Sequence, residues 1–274
     1  MLRLGWFSTG RGPGSLGLLQ FIQERIQQGR LDASIQFVFS NRELGEAEGS
    51  DRFLQQVKSY GLPLLTLSSS QFRRARKGGF ARHREEYDQQ VMALLRGYQP
   101  DLCVLAGYML IAGAAMCRAY PMLNLHPALP DGPTGTWQEV IWKLIEGRAV
   151  RTGAMTHLAT EDVDRGPLVS YCTAPIVGAP FDACWQALEG QDLVQVKAGQ
   201  GEELPLFQLI RQAEYQREPY LLLETLRAIG DGRVVIRQGQ VLDWTGRLLY
   251  ASLPSGLCLD PEIDRAMAED AAKT

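Results

Sequence analysis

Three features of the sequence predict an α/β fold, with a mostly parallel twisted sheet and helices on both of its faces. The first half alternates short apolar runs with helically spaced ones, strand and helix in turn. The run Asp101–Ala106 (DLCVLA) is apolar almost throughout, as a parallel strand buried on both faces requires. A strand at Leu2–Ser8 leads into Thr9-Gly10-Arg11-Gly12-Pro13-Gly14-Ser15 and then a helix, the opening of a nucleotide-binding half-fold.

The elements follow in order. Leu16–Gln28 places Leu18, Leu19, Phe21, Ile22 and Ile26 at helical spacing. Ser34–Ser40 reads as a strand, Asp51–Tyr60 as a helix closed by Gly61, and Leu64–Leu67 as a short strand behind Pro63. Glu85–Tyr98 reads as a helix before the Asp101–Ala106 strand. Then come strand Met122–Leu125, helix Thr136–Ile145 and strands Arg151–Ala159 and Leu168–Ile176. Between Val177 and Glu203 no period holds. Leu206–Leu226 is helical after Pro205, and Pro219 predicts two helices or a kink there. Val234–Ile236 and Val241–Trp244 flank a turn with Gly239 and suggest a hairpin. The polar tail from Asp260 is a terminal helix or a frayed end. With no repeat and no dividing linker, 1–274 reads as one domain with two lobes, 1–120 and 121–255, an insertion at 177–203 and a tail at 256–274.

Composition narrows the function. The 274 residues are 45% apolar and 22% charged, which excludes disorder and fibrous folds. Lys and Arg number 28 against 31 Asp and Glu, a net charge of −3 that suits a small-molecule enzyme better than a nucleic-acid binder. No run of 18 apolar residues and no signal-peptide pattern occur, so a cytoplasmic protein with no membrane partner is expected. Five cysteines without a CxxC pair read as reduced core thiols, with no metal site.

Candidate chemistry sits in a few places. Glycines at 10, 12 and 14, with Arg11 and Ser15, let backbone N–H groups approach an anion at a helix start. The spacing is neither GxGxxG nor a GK[ST] loop, so a phosphate monoester suits it better than a dinucleotide; a ligand-free turn is the alternative. Asn124 and His126, two apart on a strand, project to one side and could serve a developing oxyanion and move a proton. Of the other histidines, His157 reads as a structural strand residue and His83 as part of a basic stretch. The acidic loop Thr160–Pro167 could place a carboxylate beside a histidine, or be a solvated turn. Arg73–Gly79 is a basic loop, either solvated or attractive to a small polyanion or, less readily, to RNA.

In this order, the glycine loop, AGYMLI (Ala106–Ile111), NLHPALP (Asn124–Pro130) and HLATEDVDRGP (His157–Pro167) resemble the folate-dependent formyltransferases. The likeness extends to SNR (Ser40–Arg42), FR (Phe72–Arg73), HREEYDQQV (His83–Val91) and QAEYQREPY (Gln212–Tyr220). It implies a Rossmann-like fold and transfer of a formyl group from 10-formyltetrahydrofolate, without a metal. The implied acceptor is the amine of glycinamide ribonucleotide, in purine biosynthesis. Another primary amine (an amino-sugar nucleotide or aminoacyl-tRNA) or plain hydrolysis is the alternative.

By the same resemblance, Asn124, His126 and Asp164 match the catalytic trio. Gly12, Gly14 and Ser15, with Gly10 and Arg11 beside them, match the loop holding the ribonucleotide phosphate, and Glu214 matches a carboxylate on that substrate. Tyr108, Met109, Leu110, Ile111 and Ala112, with Thr160, Glu161, Asp162 and Val163, match the pterin surroundings, and Arg84 the glutamate tail. The chain departs from the family pattern at Leu16, where an Asn is usual, and at Leu110, where an Arg is. HPALPDGPTG also differs, and 74–82 and 177–203 are longer. Partners are expected to be small molecules, the chain a monomer or homodimer.

Overall fold

The computed structural model describes residues 1–161, 165–249 and 256–273. The chain runs β1 (Leu2–Ser8), α1 (Pro13–Gln27), β2 (Ala33–Ser40), α2 (Glu48–Ser59), β3 (Leu64–Thr66), α3 (Ser69–Arg74), a 3-10 turn at Phe80–His83, α4 (Arg84–Leu94) and β4 (Leu102–Leu105). It continues with α5 (Ala114–Ala119), β5 (Met122–His126), α6 (Trp137–Glu146), β6 (Arg151–Leu158), β7 (Leu168–Pro175), α7 (Phe181–Ala187), α8 (Leu193–Gln200) and α9 (Pro205–Gly230). A hairpin of β8 (Val234–Arg237) and β9 (Gln240–Asp243), then β10 (Leu257–Cys258) and α10 (Asp260–Ala271), completes it.

Eight strands form one sheet in the order β10-β7-β6-β5-β4-β1-β2-β3. β1 to β5 are all parallel, and β6 alone runs against its neighbours β5 and β7. The predicted mostly parallel sheet is therefore present. Alternation along β1 divides the core: Leu4 and Trp6 join Leu19 and Ile22 of α1 and Leu222 and Leu226 of α9 on one face. Phe7 joins Phe37, Phe39, Tyr87 and Val91 of α4 and Met116 of α5 on the other.

Several segments depart from the expectation or settle an alternative it left open. α1 starts at Pro13 rather than Leu16, because proline fits the first helical position, where an N–H has no intrahelical partner anyway. α9 is one helix of 26 residues with Pro219 inside it. Buried residues on both sides of that proline, from Leu206 to Ala228, hold the two halves in line at the cost of one backbone bond. The 177–203 segment holds α7 and α8, whose Phe181, Leu188 and Val196 pack on α6 and α9 through Ile141, Phe207 and Ile210. The tail is a docked helix, since the Asp260 carboxylate accepts hydrogen bonds from the Thr173 N–H and Oγ1, both at 2.7 Å. Among the cysteines, Cys103 and Cys172 are buried as expected, whereas Cys258 is exposed because its strand forms the sheet edge.

Among the described residues, no helix is long and apolar enough to cross a membrane, and no group of three or more His, Cys, Asp or Glu is placed to hold a metal.

Candidate active site

From β1 the chain moves one way to β2 and β3, then returns to place β4 on the other side of β1. The loops leaving β1 and β4 diverge at that point, and open α/β sheets bind ligands in the crevice so formed. Here those loops are the glycine motif and Ala106–Gly113. They are stitched together: the Met109 N–H donates to Thr9 Oγ1 (2.8 Å), which donates to Asn41 Oδ1 (2.7 Å), and Asn41 Nδ2 donates to Ser69 Oγ (3.0 Å). Gly107, at φ +69°, leaves room for Ser15, whose Oγ a Cβ there would overlap.

Gly12 caps α1 in an extended conformation, with no side chain hydrogen-bonded to the helix end. The first turn thus presents backbone N–H groups of Gly14 and Ser15 without a side-chain cap, beside an exposed Arg11. Gly10 takes φ +64° with Phe53 packed where a side chain would be, so both its conformation and its crowding require glycine. Tyr215 of α9 lies against Gly14 and Gly17 and closes the other side of this turn.

Asn124 and His157 are direct partners across the antiparallel β5–β6 pair. Asn124 Nδ2 lies 3.1 Å from His157 Nε2, and His157 Nδ1 lies 3.0 Å from the Leu158 carbonyl oxygen. A carbonyl only accepts, so in the neutral imidazole Nδ1 carries the proton, Nε2 accepts, and the Asn124 amide presents N–H to it. His126, 7% exposed, stands with its ring centroid 6.4 Å from that of His157. Amide and imidazole thus share one side of β5, as their spacing predicted. Asp162, Val163 and Asp164 lie outside the described residues.

Two adjoining cavities open here. One, of 220 Å³, is lined by Tyr108, Met109, Leu110, Ile111 and Ala112 together with Asn124, His157 and Thr160. The other, of 560 Å³, shares Ala159 and Thr160 with the first and is closed by Cys117 and Arg118 of α5, Met122, Glu161 and the hairpin tip Gln238-Gly239. Met109 and Ile111 remain 60% and 39% exposed, an apolar rim that a flat ring would cover. Arg84 stands behind the wall, its Cδ 3.9 Å from where a Gly113 Cβ would be.

Of the residues marked in the sequence, Tyr108–Ala112, Asn124 and Thr160 line the first cavity and Glu161 the second. Glu214 does not line either. It is 1% exposed, accepts a hydrogen bond from Thr152 Oγ1 (2.6 Å), and has Arg211 at 3.6 Å. Burial pushes its carboxyl up to about 8. Sequence reasoning missed His157 as Asn124's partner, Thr9 as the tie to Met109, and Cys117, Arg118 and Gln238 as cavity walls. Only Asn41, within the SNR segment, carried a signal.

The formyl transferase family profile matches residues 13–179, more than half of the chain. The chain belongs to the formyl transferase family. It is 35% identical over 101 residues to the phosphoribosylglycinamide formyltransferase of Saccharomyces cerevisiae, covering 34% of this chain and 47% of that protein. Against the enzyme of that name from Escherichia coli it is 27% identical over 161 residues, covering 58% and 68%. The chain thus spans about half the length of the first relative and two thirds of the second. Phosphoribosylglycinamide formyltransferase from Coxiella burnetii superposes with a TM-score of 0.66 at 22% identity, over 94% of this chain and 98% of that one. Formyltetrahydrofolate deformylase from Burkholderia mallei superposes with 0.61 at 15% identity, over 88% and 69%. These likenesses establish the formyltransferase fold.

Proposed function

We propose that this formyltransferase moves the formyl group of 10-formyltetrahydrofolate to the amine of glycinamide ribonucleotide. The observation that carries the reading is the joining of two sites: an uncapped glycine-rich helix start and an apolar cavity with Asn124 and His157 in its lining, held together through Thr9 and Gly107. The first suits a phosphate and the second a flat folate ring, and these ties set the two side by side.

In this reading the neutral amine attacks the formyl carbon and a C–N bond forms. Asn124 and His126 donate to the oxyanion of the tetrahedral intermediate. The C–N10 bond then breaks, N10 takes up a proton, and the attacking nitrogen loses one. Asp164, by family resemblance, orients His126 or holds the water that relays the proton. The wall Tyr108–Ala112 with Thr160 and Glu161 encloses the pterin, and Arg84 serves the glutamate tail. Gly10, Arg11, Gly12, Gly14 and Ser15 hold the phosphate, and the Glu214 carboxylate, which the resemblance assigns to the same substrate, is turned to Thr152. Hydrogen bonds polarise the carbonyl, so the reading assigns no metal, and the partners are small molecules in the cytoplasm.

The test is folate release from 10-formyltetrahydrofolate with glycinamide ribonucleotide, with its dephosphorylated riboside, and with no amine. Release that requires the ribonucleotide supports the reading. Equal use of the riboside removes the phosphate site, and equal release without amine makes the protein a hydrolase.

A further inference from the structure

The carboxylate of Asp88 is buried on α4, at 3% exposure, in a helix that contributes no residue to the two cavities described above. Its Oδ2 accepts a hydrogen bond from the Gly113 N–H at 2.6 Å. Gly113 is the joint of the site: the wall Tyr108–Ala112 ends at it, and α5, which supplies Ala114, Cys117 and Arg118 to the larger cavity, starts from it. The approach is so close that a Cβ on Gly113 would stand 2.7 Å from the same oxygen. Only glycine lets the carboxylate reach the backbone there. One turn earlier on α4, Arg84 lies against the same glycine. Asp88 thus holds the peptide N–H while the stem of Arg84 passes beside the same residue.

We infer that Asp88 is a positioning residue for folate: by holding the Gly113 peptide it fixes the pocket wall and the start of α5 in the spacing that the folate ring requires. The inference rests on the folate reading given above. A charged acceptor is the stronger partner for a backbone N–H, which explains a carboxylate rather than an amide at this place. Retaining charge there has an opposing cost. Burial pushes the carboxyl up to about 6, against the Gly113 hydrogen bond and Arg84, which lower it. The other groups that face it are Glu85 and Tyr87 on its own helix, Tyr108 from the wall and Cys117 from α5.

The experiment compares wild type with Asp88→Asn, Asp88→Ala, Gly113→Ala and the Asp88→Ala/Gly113→Ala double variant. It measures tetrahydrofolate binding by titration without amine, both Michaelis constants, kcat and thermal unfolding. Losing a hydrogen bond to a charged group should weaken folate binding and raise its Michaelis constant about tenfold in Asp88→Ala, and less in Asp88→Asn, which keeps an acceptor. The constant for the amine and kcat should stay within about threefold. The double variant should bind folate better than the sum of the single losses predicts, because removing the carboxylate makes room for the added methyl. In wild type the folate constant should rise as pH falls through about 6, and this break should vanish in Asp88→Asn. Unchanged folate binding in folded Asp88→Asn and Asp88→Ala, or equal losses for folate and amine, overturns the inference. A wild type that binds no tetrahydrofolate overturns the folate reading instead.

Discussion

Asn124 and His157 face each other across the β5–β6 pair with Nδ2 and Nε2 3.1 Å apart, and the imidazole is itself turned by the Leu158 carbonyl. An asparagine amide has no intrinsic preference for which end faces a substrate carbonyl. A histidine whose proton sits on Nδ1 imposes one, since Nε2 accepts only N–H. The amide is thereby set as a donor.

His157→Ala is therefore expected to lower kcat about tenfold or more, while both Michaelis constants change little. The lost factor is orientation of a donor that acts on the transition state, where removing such a donor outright costs about a hundredfold or more. Steady-state kinetics on folded protein checks this. An unchanged kcat would show that Asn124 is held by other means.

His126→Ala is expected to cost two or more powers of ten in turnover with the fold intact, and Asp164→Asn the same by family resemblance. Circular dichroism and thermal unfolding separate this loss from misfolding. Turnover at the wild-type rate in either variant contradicts the catalytic assignment.

The parts of the fold legible in the sequence are those set by local rules. Gln238-Gly239, with φ of 50° and 74°, forms the two-residue hairpin turn that the spacing around Gly239 implied. β1 and β4 follow from their apolar runs, and the body of α1 from its helical spacing. α7 and α8 were not legible, because their few apolar residues face α6 and α9, a surface invisible along the chain. Pro219 misled for the same reason, since packing on both sides outweighs one lost backbone bond. At the site, Asn124 and His126 are two apart on one strand and could be paired on paper. His157 could not, because the register of β6 against β5 is a long-range fact. Glu214 was placed on the right helix, but its burial behind Thr152 depends on how α9 sits on β6.

Arg11→Ala is expected to raise the Michaelis constant for glycinamide ribonucleotide more than it lowers kcat. Arg11 is exposed beside an uncapped helix start, the proposed phosphate site. Binding energy lost from a phosphate remote from the reacting carbon appears mainly in that constant. An equal effect on the dephosphorylated riboside would remove Arg11 from the phosphate site.

Glu214→Gln is expected to change the pH dependence of stability. Burial raises the native carboxyl from 4.5 to about 8. Between these values the unfolded chain releases the proton while the native protein keeps it. Native stability from this group is therefore complete below pH 4.5 and falls as pH rises to 8, by about 1.4 kcal/mol per unit. The glutamine variant lacks that slope and still offers Thr152 an acceptor, so its stability relative to wild type should increase from pH 5 to pH 8. Urea unfolding at several pH values checks the sign. Parallel profiles would show that the carboxyl is ionised in the native protein.

Where the formyl carbon goes decides the proposed function. With 10-formyltetrahydrofolate labelled at that carbon and glycinamide ribonucleotide present, mass spectrometry should find the label as an N-formyl group on the ribonucleotide and none beyond background as formate. Label recovered as free formate, at the same rate with and without the ribonucleotide, would contradict it.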